Sequence, residues 1–221
     1  MAAIAVSVLT TELIAAFPDT DAALWVTYLN KVDRKLSFNF RIRTSTISLT
    51  LTADEPNYTL SDSVCRIYSA KYVRSASATD CYPLRLRDRQ WMNAKNANWQ
   101  AVPSQEPSTL ILDTTSTGAY NVILNPAPAT ATTGGYPKVT IDTAIGGTLT
   151  SGGDFPACIQ DLDTYRYGAI YNYCITYRRE EAPMFKQLYD LALREEYNIQ
   201  AARLVDAPRG IVHRFPTGGS V

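Results

Sequence analysis

Two stretches near the start of the chain have the spacing of amphipathic helices. The longer one follows Asp21, which can cap a first turn because its carboxylate accepts a hydrogen bond from a free N–H group. Its apolar positions recur every three or four residues: Leu24, Trp25, Tyr28, Leu29, Val32 and Leu36. A shorter helix is predicted from Thr10 to Phe17, where Pro18 ends it. Each helix has an apolar face that must pack against another element.

The C-terminal third of the chain predicts a helical hairpin. The first helix is expected to begin at Asp154, which can cap it, with Pro156 at a first-turn position that needs no N–H. The apolar positions of this helix are Ile159, Leu162, Tyr165, Ala169, Ile170, Tyr173, Cys174 and Tyr177. A break at Pro183 starts a second helix, and its predicted apolar positions are Met184, Leu188, Leu191, Ala192, Ile199, Ala202 and Val205.

The middle of the chain has the pattern of β-strands. Thr46–Thr52 alternates strictly between polar and apolar residues, as a half-buried strand does. Six further strands are predicted at Val64–Tyr68, Lys71–Arg74, Tyr82–Leu86, Thr109–Leu112, Tyr120–Leu124 and Lys138–Ile145. Between these strands, Asp88–Asn96 lacks both the alternation and β-branched residues, and we expect a short helical turn there.

Together these elements predict an α+β fold. The N-terminal helices (residues 10–36) and the C-terminal hairpin (residues 154–205) are expected to form one helical bundle. An antiparallel β-rich domain (residues 37–150) is then inserted into that bundle. The last residues, 206–221, lack a helical period and are expected to form an extended arm.

Composition argues against several classes of function. Lysine plus arginine and aspartate plus glutamate number 21 each, so the net charge is zero and gives no general attraction to nucleic acid or an anionic membrane. Residues Met1–Leu9 have no basic leader, and the chain has no apolar run of membrane-spanning length. We expect no targeting signal and no membrane contact. The spacing of the four cysteines suits neither a metal site nor a disulfide framework, although Cys65 and Cys81 could meet across a strand pair.

Candidate catalytic residues are scarce. His213 is the one histidine, and it lies in the predicted arm, where it could not hold a nucleophile rigidly. No phosphate-binding glycine loop occurs. The carboxylate pairs Glu195 with Glu196 and Asp161 with Asp163 are interpreted as solvated helix faces. We therefore predict no enzyme activity, no cofactor and no metal.

One basic cluster allows two interpretations. It combines three aromatic residues (Tyr68, Tyr72, Trp91) with seven arginines: Arg41, Arg43, Arg66, Arg74, Arg85, Arg87 and Arg89. Such a set could bind single-stranded nucleic acid through charge and stacking. The plainer interpretation, which we favour, places these arginines on the exposed sides of strands.

A series of structural residues in the middle of the chain resembles a known family. The series runs through Tyr58, Leu60, Val64, Ile67, Tyr82, Leu84, Leu86, Asp88, Trp91, Trp99, Pro103 and Pro107, and it closes with Val122-Ile123-Leu124-Asn125-Pro126 and Pro128. This order, followed by a strand and a helical hairpin, resembles the head-to-tail adaptor (connector) proteins of tailed bacteriophages, particularly the short-tailed ones.

The resemblance implies a structural virion protein in the neck between head and tail, assembled in the host cytoplasm. It implies a ring of copies, a dodecamer, that lies under the portal protein, extends the DNA channel and docks tail or nozzle proteins. DNA would pass without sequence-specific binding. In the arm, Ile211, Val212 and Phe215 would be apolar anchors on the portal, with Arg209 and Arg214 as polar contacts.

Two other classes of function fit the same sequence. One is another tail or capsid accessory protein of the virion, which would not bind the portal. The other is a monomeric module that binds carbohydrate or peptide on its Tyr- and Trp-bearing sheet.

Overall fold

The computed structural model describes residues 4–77, 79–95, 98–114, 120–159 and 162–206. The chain divides into two compact units, Met1–Cys158 and Ile159–Val221. The first unit holds α1 (Val6–Ala16), α2 (Ala22–Phe40), α3 (Arg89–Lys95), a 3-10 turn and every described strand. The second unit holds α4 (Asp163–Tyr177) and α5 (Ala182–Asp206).

Helix α1 begins earlier than predicted. The sequence favoured Thr10 as its start, but Val6 and Leu9 are fully buried and already helical. The N–H of Val6 donates to the carbonyl of Gly153 at 2.9 Å. This pairing satisfies one of the free N–H groups of the first turn without a side-chain cap.

Helix α2 agrees closely with its predicted pattern. The Asp21 side chain accepts a hydrogen bond from the N–H of Leu24 at 2.7 Å, as an N-cap does. Five of the six predicted apolar positions are buried: Trp25, Tyr28, Leu29, Val32 and Leu36. The helix continues to Phe40 and ends at Arg41, whose φ of 54° is left-handed.

Eight strands form two four-stranded sheets in the described part of the first unit. They are β1 (Thr44–Thr50), β2 (Asn57–Thr59), β3 (Val64–Val73), β4 (Cys81–Pro83), β5 (Arg85–Asp88), β6 (Thr109–Thr114), β7 (Tyr120–Asn125) and β8 (Lys138–Ile145). The strand orders are β1-β8-β3-β4 and β2-β7-β6-β5. All pairs are antiparallel except β5 with β6. These sheets together with the helices confirm the predicted α+β class.

The two sheets share one hydrophobic core. Leu49, Val139 and Ile141 come from the first sheet, and Leu110 and Leu124 come from the second. The other side of the second sheet is covered by α3 and the 3-10 turn Trp99–Ala101, through a smaller buried cluster of Met92, Trp99, Ile111 and Ile123. The β-rich part is therefore a sandwich with a helical cover on one side.

Helix α2 packs against β3 and β8 of the first sheet. Just after β8, the N–H of Gly147 donates to the carboxylate of Asp33 at 2.7 Å. The amide of Asn30 exchanges two hydrogen bonds with the backbone of Leu149, at 3.0 and 2.8 Å. Gly146 allows this close approach, because an added Cβ would lie 2.9 Å from the Cα of Arg34. These contacts attach the helix to the end of the sheet.

The predicted start of the first C-terminal helix at Asp154 is wrong, because α4 begins at Asp163. Asp154 forms a β-bridge with Ala5, and the N–H of Phe155 donates to the carbonyl of Ile4 at 2.9 Å. Phe155 is 3% exposed. Its burial beside the beginning of the chain holds this segment extended and overrides the local capping signal.

The four cysteines, all in described segments, form no disulfide. Cys65 lies near the start of β3, whereas Cys81 pairs with Val73 at the other end of that strand. Within the described residues, no helix is both long and apolar enough to span a membrane. The predicted bundle between the N-terminal helices and the C-terminal hairpin stays a prediction.

Candidate interaction surfaces

The predicted portal-binding residues Arg209, Ile211, Val212, Arg214 and Phe215 lie outside the residues that the structure describes. The same is true of His213. Within the described segments, no cluster of three or more His, Cys, Asp or Glu side chains could hold a metal ion. Two candidate interaction surfaces consist of described residues. They are the α4–α5 hairpin and a cluster of arginines in the first unit.

Small and aromatic residues hold the α4–α5 hairpin together. Gly168 and Ala169 are buried on α4, where their size allows a close neighbour. The Thr164 hydroxyl donates to the carbonyl of Ala192 at 3.2 Å. The rings of Tyr171 and Tyr189 are stacked with centroids 6.2 Å apart. Burial, and secondarily the charge of Asp190, raises the pKa of Tyr189 to about 12.

The buried stripe of α5 is rotated from the predicted one. Tyr189, Ala192 and Glu196 are buried, whereas the predicted core residues Met184 and Leu191 are 54% and 56% exposed. Stacking of Tyr189 on α4 explains the rotation, because it fixes which side of α5 faces its neighbour. A tyrosine can fill this role since its ring is apolar.

The interpretation of Glu195 and Glu196 as a solvated pair is half wrong. Glu195 is exposed, but Glu196 is only 2% exposed. It lies four residues after Ala192 and therefore on the same side of the helix. Its carboxylate accepts a hydrogen bond from Gln200 at 2.6 Å, which offsets part of the cost of burial.

The α4–α5 hairpin carries most of the large apolar side chains that the described chain leaves exposed. They are Ile175, Tyr177, Met184, Leu191 and Tyr197, each at least 44% exposed. On α5, the spacing of Met184, Leu188 and Leu191 puts all three along one side. We call these three the α5 outer stripe. A helix side of this kind is typical of a contact with another protein.

The seven arginines of the predicted basic cluster are spread over helix ends, strands and loops. Arg85 and Arg87 lie on β5 of the second sheet, and Arg89 starts α3. Arg87 stacks on Trp91, and Arg89 pairs with Asp113 at 2.6 Å. Arg87 and Arg89 thus each have a partner within the second sheet and its helical cover.

Arg74, directly after β3 of the first sheet, has its charge neutralised by a carboxylate. Arg74 makes two hydrogen bonds to the carboxylate of Glu106, at 2.9 and 2.6 Å.

Tyr72, one of the predicted stacking residues, is 3% exposed and belongs to the sandwich core. Tyr82 donates to the carbonyl of Pro107 at 2.9 Å, and burial, followed by the charge of Glu106, raises the pKa of Tyr82 to about 12.

Arg43 donates to the Thr148 hydroxyl at 2.8 Å and to the carbonyl of Asp154 at 3.3 Å. The last two arginines, Arg41 and Arg66, cluster with two aromatic rings at the end of α2. The guanidinium carbons of Arg41 and Arg66 lie 4.3 and 5.7 Å from the centre of the Tyr68 ring. Arg66 also lies 5.4 Å from the centre of the Phe38 ring, which is 46% exposed. We call Phe38, Arg41, Arg66 and Tyr68 the arginine–aromatic cluster. The sequence pattern did not predict Phe38 as part of a site. Its position outside the predicted apolar stripe of α2 could have indicated an exposed aromatic residue.

Exposed apolar helix sides and clusters of arginine with aromatic residues are typical of surfaces that contact other proteins. The comparison with family models agrees: residues 3–211 match the family described as SU10 adaptor protein. Because the match covers most of the chain, the protein belongs to the SU10 adaptor protein family. This membership confirms the resemblance to phage head-to-tail adaptors, whereas the short-tailed type stays a prediction. No curated protein matches the chain.

Proposed function

We propose that the protein acts in the neck of a short-tailed phage as a ring-forming head-to-tail adaptor. Copies assemble under the portal protein, extend the DNA channel and dock tail or nozzle proteins. The observation that carries this proposal is the family match over residues 3–211. Adaptor families are structural, and their members work through contacts with the proteins on either side of them.

Self-association is supported by the α5 outer stripe. Leu188 of this stripe is half-buried, whereas Met184 and Leu191 are exposed. Exposed apolar side chains of this kind are ones that a neighbouring copy covers in an assembly. A ring needs a heterologous contact, in which the surface on one copy meets a different surface on the next. We propose that α5 supplies one side of that contact, and that the ring is a dodecamer.

Passage of DNA is supported by the charge of the chain. The net charge is zero, so a ring of copies adds no overall attraction for phosphates. Each added phosphate contact strengthens binding to DNA and slows its release. A channel through which DNA must slide works better without many such contacts, and no sequence-specific binding is needed.

The two docking roles are assigned to different parts of the chain. We propose that the C-terminal arm contacts the portal, with Ile211, Val212 and Phe215 as apolar anchors and Arg209 and Arg214 as polar contacts. The inserted β-rich part is proposed to face the tail proteins. This division leaves the helices to join neighbouring copies.

Light-scattering mass of the purified chain, alone and mixed with the portal protein of the same phage, tests the proposal. The expected result is a complex that contains many copies of the chain on one portal ring. It is expected whether or not the free chain is a monomer, because some rings form only on their partner. A chain that leaves the portal mass unchanged would refute the proposed function.

A further inference from the structure

We propose that the arginine–aromatic cluster is the docking site for an acidic surface of a tail protein. This inference rests on the proposed function and adds to it the residues and the chemistry of the tail contact. The occupant is a partner segment that presents a carboxylate next to an apolar side chain. Arg41 and Arg66 would bind the carboxylate, and the exposed ring of Phe38 would contact the apolar group.

The arginine–aromatic cluster leaves positive charge uncompensated. Among the described residues, neither Arg41 nor Arg66 lies within ion-pair distance of a carboxylate. The two guanidinium groups nevertheless approach the same Tyr68 ring. Two like charges held near each other repel, and an anion bound between them removes that repulsion. Arginine is also suited to carboxylates because it can donate two parallel hydrogen bonds.

The carboxylate of Asp142, in the same sheet as Arg66, is already held by other groups. Asp142 is close enough for the charge of Arg41 to help lower its pKa, but the larger causes are its hydrogen bonds. The hydroxyls of Ser69 and Thr46 donate to it at 2.6 and 2.9 Å. The Asp142 oxygens are therefore engaged elsewhere, and the guanidinium groups remain open to an external anion.

The rings of the cluster suit a protein partner better than nucleic acid. Binding of single strands needs open aromatic faces on which bases can stack. The Tyr68 ring already carries Arg41 and Arg66. Phe38 is then the one ring of the cluster left to stack on, which does not make a series of stacking sites along a strand. Tyrosine, arginine and a partly exposed phenylalanine side by side are instead the composition of protein–protein contact centres. The neutral net charge of the chain also gives nucleic acid no wider attraction.

The test compares two double variants in binding to the purified tail proteins of the same phage, measured by biolayer interferometry. Arg41→Gln with Arg66→Gln removes both charges of the cluster. The matched control is Arg85→Gln with Lys95→Gln, which removes two exposed charges on β5 and α3. We expect the cluster variant to bind one tail protein about tenfold more weakly or worse, and the control to bind it as wild type does.

Further measurements separate this site from the alternatives. Melting temperatures of both variants check folding, and Arg41→Lys with Arg66→Lys keeps the charge if the glutamine variant unfolds. This lysine variant should bind with intermediate strength, because it loses the paired hydrogen bonds. The inference is overturned if the cluster variants bind every tail protein like wild type. It is also overturned if they lose only self-association, portal binding or binding to a short DNA duplex.

Failure of the inference and failure of the proposed function give different results. If wild type binds the portal and a tail protein, and the cluster variants do so equally well, only the assignment of this site is wrong. If wild type binds neither the portal nor any tail protein, the adaptor role itself is wrong, and the site assignment is wrong with it.

Discussion

At the scale of single residues, Trp25 is the largest side chain that is fully buried. Its ring contacts those of Phe17 and Tyr28, with centroids 5.4 and 6.2 Å away, and its indole N–H donates to the Thr20 hydroxyl at 2.7 Å. Trp25→Ala should therefore lower the free energy of unfolding by about 3–5 kcal/mol, measured by urea denaturation. Val8→Ala, at a position 50% exposed on α1, is the control and should change it little. Equal stability of the two variants would contradict the burial of Trp25.

Gly146 tests whether α2 packs as closely on the first sheet as the structure indicates. A Cβ at this position would lie 2.9 Å from both the Cα of Arg34 and the Oγ of Ser37, and backbone atoms cannot easily move away. Gly146→Ala should cost about 1–3 kcal/mol of unfolding free energy in urea denaturation. Gly152→Ala is the matched control, because nothing lies within 4 Å of its added Cβ. Equal stability of the two variants would mean that Gly146 does not lie this close to Arg34 and Ser37 of α2.

Asp142 gives a dependence of stability on pH. Hydrogen bonds from Ser69 and Thr46 hold its pKa below the ordinary value of 3.8. A carboxylate with a lowered pKa in the folded state stabilises the fold above its unfolded pKa, and this contribution is lost as pH falls through the folded pKa. Asp142→Asn should therefore be less stable than wild type near neutral pH, and the difference should shrink as the pH falls below 3.8.

Urea denaturation at several pH values measures this difference. Asp62→Asn, at an exposed carboxylate elsewhere in the chain, controls for the general loss of a negative charge. A gap between wild type and Asp142→Asn that stays constant from neutral to acidic pH would mean that the two hydroxyls do not favour the ionised carboxylate.

At the scale of elements, the sequence predicted best where local pattern and packing agree. Lys138–Ile145 has the predicted bounds because its alternating residues face a buried core on one side. By contrast, Asp154 is followed by Phe155, whose burial depends on pairing with the distant start of the chain. No local pattern contains that contact. In α5 the pattern located the helix but not its buried side, because stacking on Tyr171 favoured Tyr189 over the more apolar Leu191.

The α5 outer stripe leads to a prediction about one element. Met184→Ser with Leu191→Ser should leave the hairpin folded, because both side chains are exposed and Tyr189 and Ala192 make the buried contacts. The same double variant should lower the mass of the assembly on the portal, measured by light scattering, if neighbouring copies cover the stripe. Lys186→Ser, on an exposed side chain of the same helix, is the control.

Two outcomes would contradict a role of the outer stripe in assembly. One is a portal complex of unchanged mass with the double variant. The other is a large fall in helix content by circular dichroism, which would mean that Met184 and Leu191 are needed for the fold of the hairpin itself.

At the scale of the whole molecule, the sequence predicts the family, whereas the structure locates a candidate contact surface. The order of structural residues through the sandwich was sufficient to predict the adaptor family, which the match over residues 3–211 confirms. The arginine–aromatic cluster could not be predicted as such, because it combines the end of α2 with a residue pair on β3. The sequence pattern contains seven arginines. Only the folded chain shows which of them have no carboxylate within ion-pair distance.

The last prediction concerns the C-terminal arm, which the proposed function assigns to the portal. Deletion of Pro208–Val221 should leave the melting temperature unchanged and abolish binding to the portal. The deleted residues follow the end of α5 at Asp206, so every described helix and strand is kept. Light scattering of the mixture with portal measures the loss.

Two substituted arms show which chemistry makes the portal contact. Ile211, Val212 and Phe215 changed together to serine remove the apolar anchors, and Arg209→Ser with Arg214→Ser removes the charges. Burial of three large apolar side chains contributes more than exposed ion pairs do, so the apolar variant should bind more weakly than the charge variant. Full portal binding by the deletion variant would mean that another surface meets the portal. Equal loss in the two substituted arms would instead mean that the arginines are buried in the contact.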